Sequence, residues 1–308
     1  MLLTRLGVMF QATNPVRDLP GLARRAETLG LDELWMAEDC FLHSGPAAAA
    51  AALSVTERLS VGIGLLPVAV RNPAIAAMEL GTLANLFPDR IRVAFGHGVE
   101  AWMRQIGARP PDRIVALEEA VGAVRALLRG ETLDVDGRNV TLDAVALDTP
   151  PDAVPTVLVG TTGKRGVEVA ARAADGVLLP EGAGEGAVAW VRELLGPGGE
   201  IVVYAWMRVE DDGDRARDAV RPLVRARRDE GTYPNLIRLG GVPDEGEIDD
   251  GAVDRTAVAG TPQECADAVA RLAAAGASTV AVLPVGGGLA EQVERFAADV
   301  APLVRERP

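Results

Sequence analysis

The chain has 308 residues, a formal net charge of −13 and a pI near 4.7. Hydrophobic residues make up 48% of it, enough for a sizeable core, which excludes a disordered or fibrous chain. The acidic balance argues against nucleic acid, whose phosphates need clustered cations, and against an anionic membrane surface.

Short apolar runs occupy residues 6–11, 33–37, 60–66, 91–95, 156–160, 176–179, 201–209 and 279–283. They alternate with stretches whose apolar residues recur every three or four positions: 19–29, 46–56, 74–87, 112–128, 165–173, 186–195, 214–229, 262–275 and 289–304. Asn72-Pro73 and Thr261-Pro262 each place a capping side chain before a first-turn proline. Gly30, Gly130 and Gly276 each stand where a helix is left.

Eight apolar runs, each followed by a helix, predict parallel β/α units, and eight such units close a TIM barrel. The expected fold class is therefore α/β, a (β/α)8 barrel with insertions over 1–308 as one domain; an open doubly wound sheet is the alternative. Two segments break the rhythm. Residues 131–149 predict a hairpin insertion turning at Asp136-Gly137. Residues 231–259, rich in Gly, Asp and Pro, predict a mobile excursion, either a lid or plain disorder.

Cys40 and Cys265 are too few for a disulfide framework or a zinc set, so the expected compartment is a reducing cytoplasm and the expected metal complement is none. The first ten residues do not read as a secretory signal, and the Ala-rich run near residue 50 is too short to span a bilayer.

In a barrel, chemistry gathers after the strands. The second run ends in Glu38-Asp39-Cys40, which reads as a surface carboxylate pair or as a polar anchor and proton donor. The third holds Gly62 and Gly64 before Leu65, where glycine signals an unusual backbone or the close approach of a ligand. The fourth gives Gly96-His97-Gly98, then Trp102; His97, one of two histidines, reads as a structural or surface group or as a functional one, since histidine ordinarily titrates near neutrality and the small neighbours leave room for a ligand. The fifth gives Gly160-Thr161-Thr162-Gly163-Lys164-Arg165 at a helix start, carrying the chain's sole lysine. Hydroxyls, flexible N–H groups and cations there favour a phosphate. The spacing fits neither a Walker A loop nor a dinucleotide fingerprint. Gly286-Gly287-Gly288 is a rival phosphate loop.

The order of these segments resembles the bacterial luciferase-like superfamily. The matching pieces are Leu31 to Asp39, Thr56 to Gly64 with Arg71-Asn72-Pro73, Pro88 to Gly98 with Trp102 to Gly107, Val157 to Pro180, and Ala259 to Cys265. The resemblance implies a flavin-type cofactor at the strand C-terminal ends, with its phosphate at Gly160 to Lys164 and its ring over a non-proline cis bond at Gly64–Leu65. It implies a homodimer acting on a small-molecule substrate. Luciferase-type monooxygenases often carry Glu-His at the second strand end; Glu38-Asp39 looks more like the deazaflavin reductases. Coenzyme F420 is therefore favoured over FMN, with Glu38, Asp39 and His97 as candidate catalytic residues. A reduced-FMN monooxygenase and a flavin-binding protein without turnover are the alternatives. Gly7, Val8 and Met9 stand where some related reductases place carboxylates.

Overall fold

The computed structural model describes residues 4–231 and 233–307. Its strands are β1 (Arg5–Phe10), β2 (Glu33–Met36), β3 (Ser60–Pro67), β4 (Ile91–Gly96), β5 (Leu133–Asp136), β6 (Thr141–Val145), β7 (Thr156–Gly160), β8 (Gly176–Leu179), β9 (Glu200–Val209), β10 (Val258–Gly260) and β11 (Thr279–Pro284). Its α-helices are α1 (Leu19–Thr28), α2 (Gly45–Leu53), α3 (Pro73–Leu86), α4 (Glu100–Gln105), α5 (Arg113–Leu128), α6 (Lys164–Ala173), α7 (Glu185–Leu195), α8 (Gly213–Asp229), α9 (Pro234–Leu239), α10 (Asp250–Thr256), α11 (Pro262–Ala275), α12 (Leu289–Arg295) and α13 (Ala301–Arg305).

The main sheet runs β10-β9-β11-β1-β2-β3-β4-β7-β8, and β8 pairs back onto β9. An open doubly wound sheet would leave both edges unpaired; the return pairing identifies the (β/α)8 barrel. Registered pairs such as β3 with β4, β4 with β7 and β1 with β11 are parallel. β10 is a short extra strand alongside β9. Barrel strands are buried along nearly their whole length, as parallel strands covered by helices should be.

The chain divides into two compact units. One comprises residues 4–9, 25–34 and those described in 178–307. In it the Glu33 carboxylate is fully buried at the start of β2. It pairs with Arg5 Nε at 2.6 Å and accepts from Thr279 Oγ1 at 3.3 Å. A buried charge without such partners would cost several kcal/mol, on the order of its desolvation.

The 231–259 stretch differs from its expectation. It holds α9, α10 and β10, with Leu236, Ile237, Ala252 and Val253 buried. Each element is shorter than two and a half turns, so no helical period builds up, and the Gly and Asp residues that suggested a loop are caps and turns. Arg217 of α8 binds Asp254 of α10 at 2.8 Å and Glu264 of α11 at 2.5 Å, tying the segment down.

The other unit comprises residues 10–24 and 35–177. Here Gly62 is explained by packing: a Cβ at that position would lie inside the Trp35 indole. The hairpin β5–β6 occupies the region read as an insertion. Glu119 of α5 clasps its turn, accepting from the backbone N–H groups of Arg138, Asn139 and Val140 at 2.9, 2.8 and 3.2 Å. These bonds hold the Glu119 carboxyl below its usual range against the opposing effect of desolvation.

Candidate active site

The ends of β2, β3, β4 and β7 are neighbours, and the register brings Pro67, Gly96 and Gly160 side by side. Between Gly64 and Leu66 the register slips, so Leu65 stands out of the ladder. The Gly64–Leu65 peptide is cis. Leu65 is only half-buried and lies against both neighbouring strand ends. A Cβ on Gly96 or on Gly160 would fall 2.5 Å from Leu65 Cδ2. The two strand-terminal glycines thus clear the space for one apolar side chain, which forms a raised apolar surface across three strand ends.

Beyond β7, α6 begins at Lys164, and Gly163 at the capping position before it supplies no side-chain cap. The first backbone N–H groups of a helix lack intrahelical partners, and its dipole favours an anion there. Thr161 Oγ1 accepts weakly from Gly163 N–H at 3.4 Å. A Cβ on Gly166 would displace that hydroxyl, so Gly166 fixes where it sits. Lys164 is exposed, with Glu168 at 3.8 Å, a distance that leaves its ammonium free to turn. The Gly160 to Lys164 segment therefore brings N–H donors, two hydroxyls and a cation to one turn, half-buried up to Gly163 and exposed at Lys164.

The rival loop differs. The carbonyls of Val285, Gly286 and Gly287 accept from Arg208 Nη1 at 3.1, 3.4 and 3.2 Å. A loop that folds its carbonyls around a guanidinium is not shaped as an anion cradle at that face.

After β2, Glu38 is not an idle acid. Its oxygens meet Arg71 Nη1 and Nη2 at 2.5 and 2.7 Å, and it accepts from the Gly45 N–H at 2.7 Å. Arg71 also holds Glu79 at 3.0 Å. The bidentate geometry fixes the β2 loop to the start of α2 and to the β3 loop. Asp39 is half-buried and its carbonyl closes a turn with the Leu42 N–H at 3.2 Å.

After β4, His97 is half-buried and its Nδ1 is buried without a hydrogen-bond partner among the described residues. Desolvation, assisted by the Arg113 charge, lowers its pKa to about 4, so the imidazole is neutral at pH 7. Arg113 and Arg109 are themselves held by Glu100, at 3.2 and 2.8 Å.

His43 was not singled out by the sequence. Its ring tilts against Phe10 at 5.9 Å, and its Nε2 is buried without a partner among the described residues. Only its chain position, three residues beyond Cys40, could have pointed to it. A cleft of about 340 Å³ opens between Val70, Arg109, Ala116 and Val140, but none of the site residues expected from the sequence lines it. No group of three or more His, Cys, Asp or Glu side chains suited to a metal occurs among the described residues.

Comparison with known proteins identifies the family and the fold. A model of the luciferase-like monooxygenase family matches residues 1–279. A 5,10-methylenetetrahydromethanopterin reductase of Archaeoglobus fulgidus is 22% identical, covering 98% of this chain and all of its own. An F420-dependent glucose-6-phosphate dehydrogenase of Kineococcus radiotolerans is 27% identical, covering 93% of each chain. Among solved structures, an F420-dependent secondary alcohol dehydrogenase in complex with an F420–acetone adduct superposes with a TM-score of 0.81 at 22% identity, covering 98% of this chain and 99% of the other.

Proposed function

The chain belongs to the luciferase-like monooxygenase family, and on that footing we propose that it is an oxidoreductase moving hydride between coenzyme F420 and a small organic substrate. The observation that carries this reading is the juxtaposition on adjoining strand ends of an uncapped helix start, a raised apolar Leu65 and a neutral histidine. Relatives named as F420-dependent dehydrogenases support the choice of cofactor.

The residues fit the group. Thr161, Thr162, Gly163 and Lys164, with the N–H groups at the start of α6, would hold its phosphate. Gly64 and Leu65 would lie under its ring, with Gly96 and Gly160 keeping that space open. When bound, the deazaflavin accepts or donates a hydride at C5. The protein supplies position and proton handling. The His97 imidazole, neutral at pH 7, would take the hydroxyl proton as an alcohol carbon loses hydride, and would return it in the reverse direction. Glu38, fixed by Arg71, holds the β2 loop in place, and Asp39 is the alternative proton carrier on that loop.

The direct test is anaerobic F420 reduction with alcohols in the wild type and in His97→Gln. A drop in kcat of about a hundredfold or more is expected for the variant. Absence of F420 turnover in the wild type with alcohols, imines and activated alkenes would remove the reading. Oxygen uptake with reduced FMN would replace it by the monooxygenase reading that the family description favours.

We further read the enzyme as a homodimer. α2 contains no charged residue, and the one charge in α3, Glu79, is paired with Arg71. Ile75, Met78 and Leu86 are nonetheless exposed along α3. Two chains of net charge −13 repel except through an uncharged face, which supports these helices as the contact. No helix among the described residues is long and apolar enough to cross a membrane. Cys40 and Cys265 are free thiols, which supports a reducing cytoplasm.

A further inference from the structure

We infer that the loops after β2 and β4 form an aromatic substrate wall, with Phe41 and Trp102 as its specificity-determining side chains. The substrate is then a neutral molecule with an apolar or aromatic body and one hydroxyl or carbonyl group. This deepens the hydride-transfer reading above and rests on it.

Phe41 is 67% exposed and Leu42 55%, a large apolar pair held in water on a strand-end loop. Phe41 also adopts a φ of 75°, a conformation that a bulky residue takes only where its surroundings impose it. That conformation brings its ring edge-on to Trp102, with centroids 6.5 Å apart and planes at 75°. Trp102 sits on α4, five residues beyond His97; His43 lies two residues beyond Phe41. The loops that meet at this aromatic pair therefore carry both histidines of the chain, each with a buried ring nitrogen lacking a partner among the described residues. Phe41 is exposed and Trp102 half-buried, so a ligand seated on this contact would meet an apolar wall between two loops that each carry an imidazole, which favours an apolar body bearing one hydroxyl or carbonyl group.

Charge narrows the class. The nearby guanidinium groups are engaged: Arg71 by Glu38 and Glu79, Arg109 and Arg113 by Glu100. Arg104, two residues beyond Trp102, lies about 200° round the α4 axis from it. A phosphorylated substrate would have to displace one of these carboxylates, whereas a neutral one needs only the imidazoles and the rings.

The test uses the two-histidine composition. In protein labelled with ¹⁵N at histidine, the imidazole spectrum holds two ring systems. Acetophenone and glucose 6-phosphate are each titrated into the F420-loaded protein and into the apoprotein. Saturable shifts with acetophenone and none with glucose 6-phosphate are expected in both. Phe41→Asn, which keeps the left-handed backbone, should raise the acetophenone dissociation constant about tenfold while leaving F420 affinity unchanged. Saturable shifts with glucose 6-phosphate alone, or with neither probe, would overturn the proposal. So would a Phe41→Asn variant that changes sedimentation but not acetophenone binding, since a second copy would then cover Phe41. Failure of F420 to bind counts against the hydride-transfer reading alone, because the apoprotein titration reports on the wall by itself.

Discussion

Burial beside Arg113 holds His97 at a pKa of about 4, against about 6.5 in an unfolded chain. Between those values the unfolded chain binds more protons than the folded one. Stability is therefore full above about pH 6.5 and falls as pH drops toward 4, by up to about 3 kcal/mol. His97→Asn should flatten that part of the curve, as read from urea unfolding at pH 4.5, 5.5 and 7; an unchanged slope would show that other groups dominate. Glu38 illustrates what sequence can and cannot give. Its place after an apolar run marked it as interesting, but its pairing with Arg71, 33 residues away, belongs to the fold. Arg71→Met should destabilise the chain by about 3 kcal/mol, since it leaves Glu38 and Glu79 without their cation. Glu38→Gln/Arg71→Met together should cost less than the two single changes added, a cycle that isolates the pair. Gly62 drew attention for ligand approach, yet the space belongs to Trp35, because a side chain's rotamer is not written in strand spacing.

At the scale of elements, all eight barrel strands fall within one residue of the apolar runs. Buried parallel strands are continuous in hydrophobicity, so their ends show plainly against polar loops. What escaped detection was short: α4, α9, α10 and β10 have too few residues for a period to register. The cap read at Thr261 is present and is half of a capping box, with Thr261 N–H donating to Glu264 at 2.7 Å. The strand-end glycines yield a sharper prediction. Gly160→Ala should push Leu65 from its place and weaken cofactor binding by about tenfold, a cost typical of overpacking. Gly160→Ala with Leu65→Ala should recover part of that loss in the same titration. Equal affinities in the single and double variants would detach Leu65 from the cofactor. Lys164→Ala should raise the cofactor dissociation constant by about tenfold with unfolding unchanged, because the side chain is exposed and makes one weak ion pair.

For the whole molecule, the homodimer proposed above would meet through α2, which has no charge, and α3, whose single charge Glu79 is paired with Arg71. The wild type should then sediment as a dimer and Met78→Glu as a monomer; a monomeric wild type would remove the proposal, and a variant that stays dimeric would move the interface elsewhere. Fold and cofactor class were legible because they follow from strand count, helix-start chemistry and the order of strand-end segments. The substrate was not, since it depends on loop contacts such as that of Phe41 with Trp102, which join residues 61 positions apart. The central claim is tested most directly by titrating the purified apoprotein with F420 and FMN, each oxidised and reduced. Tight, selective F420 binding that weakens in Lys164→Ala is the predicted result. Selective binding of reduced FMN would contradict the cofactor assignment, and binding of neither below about millimolar, roughly 4 kcal/mol, would contradict the phosphate site itself.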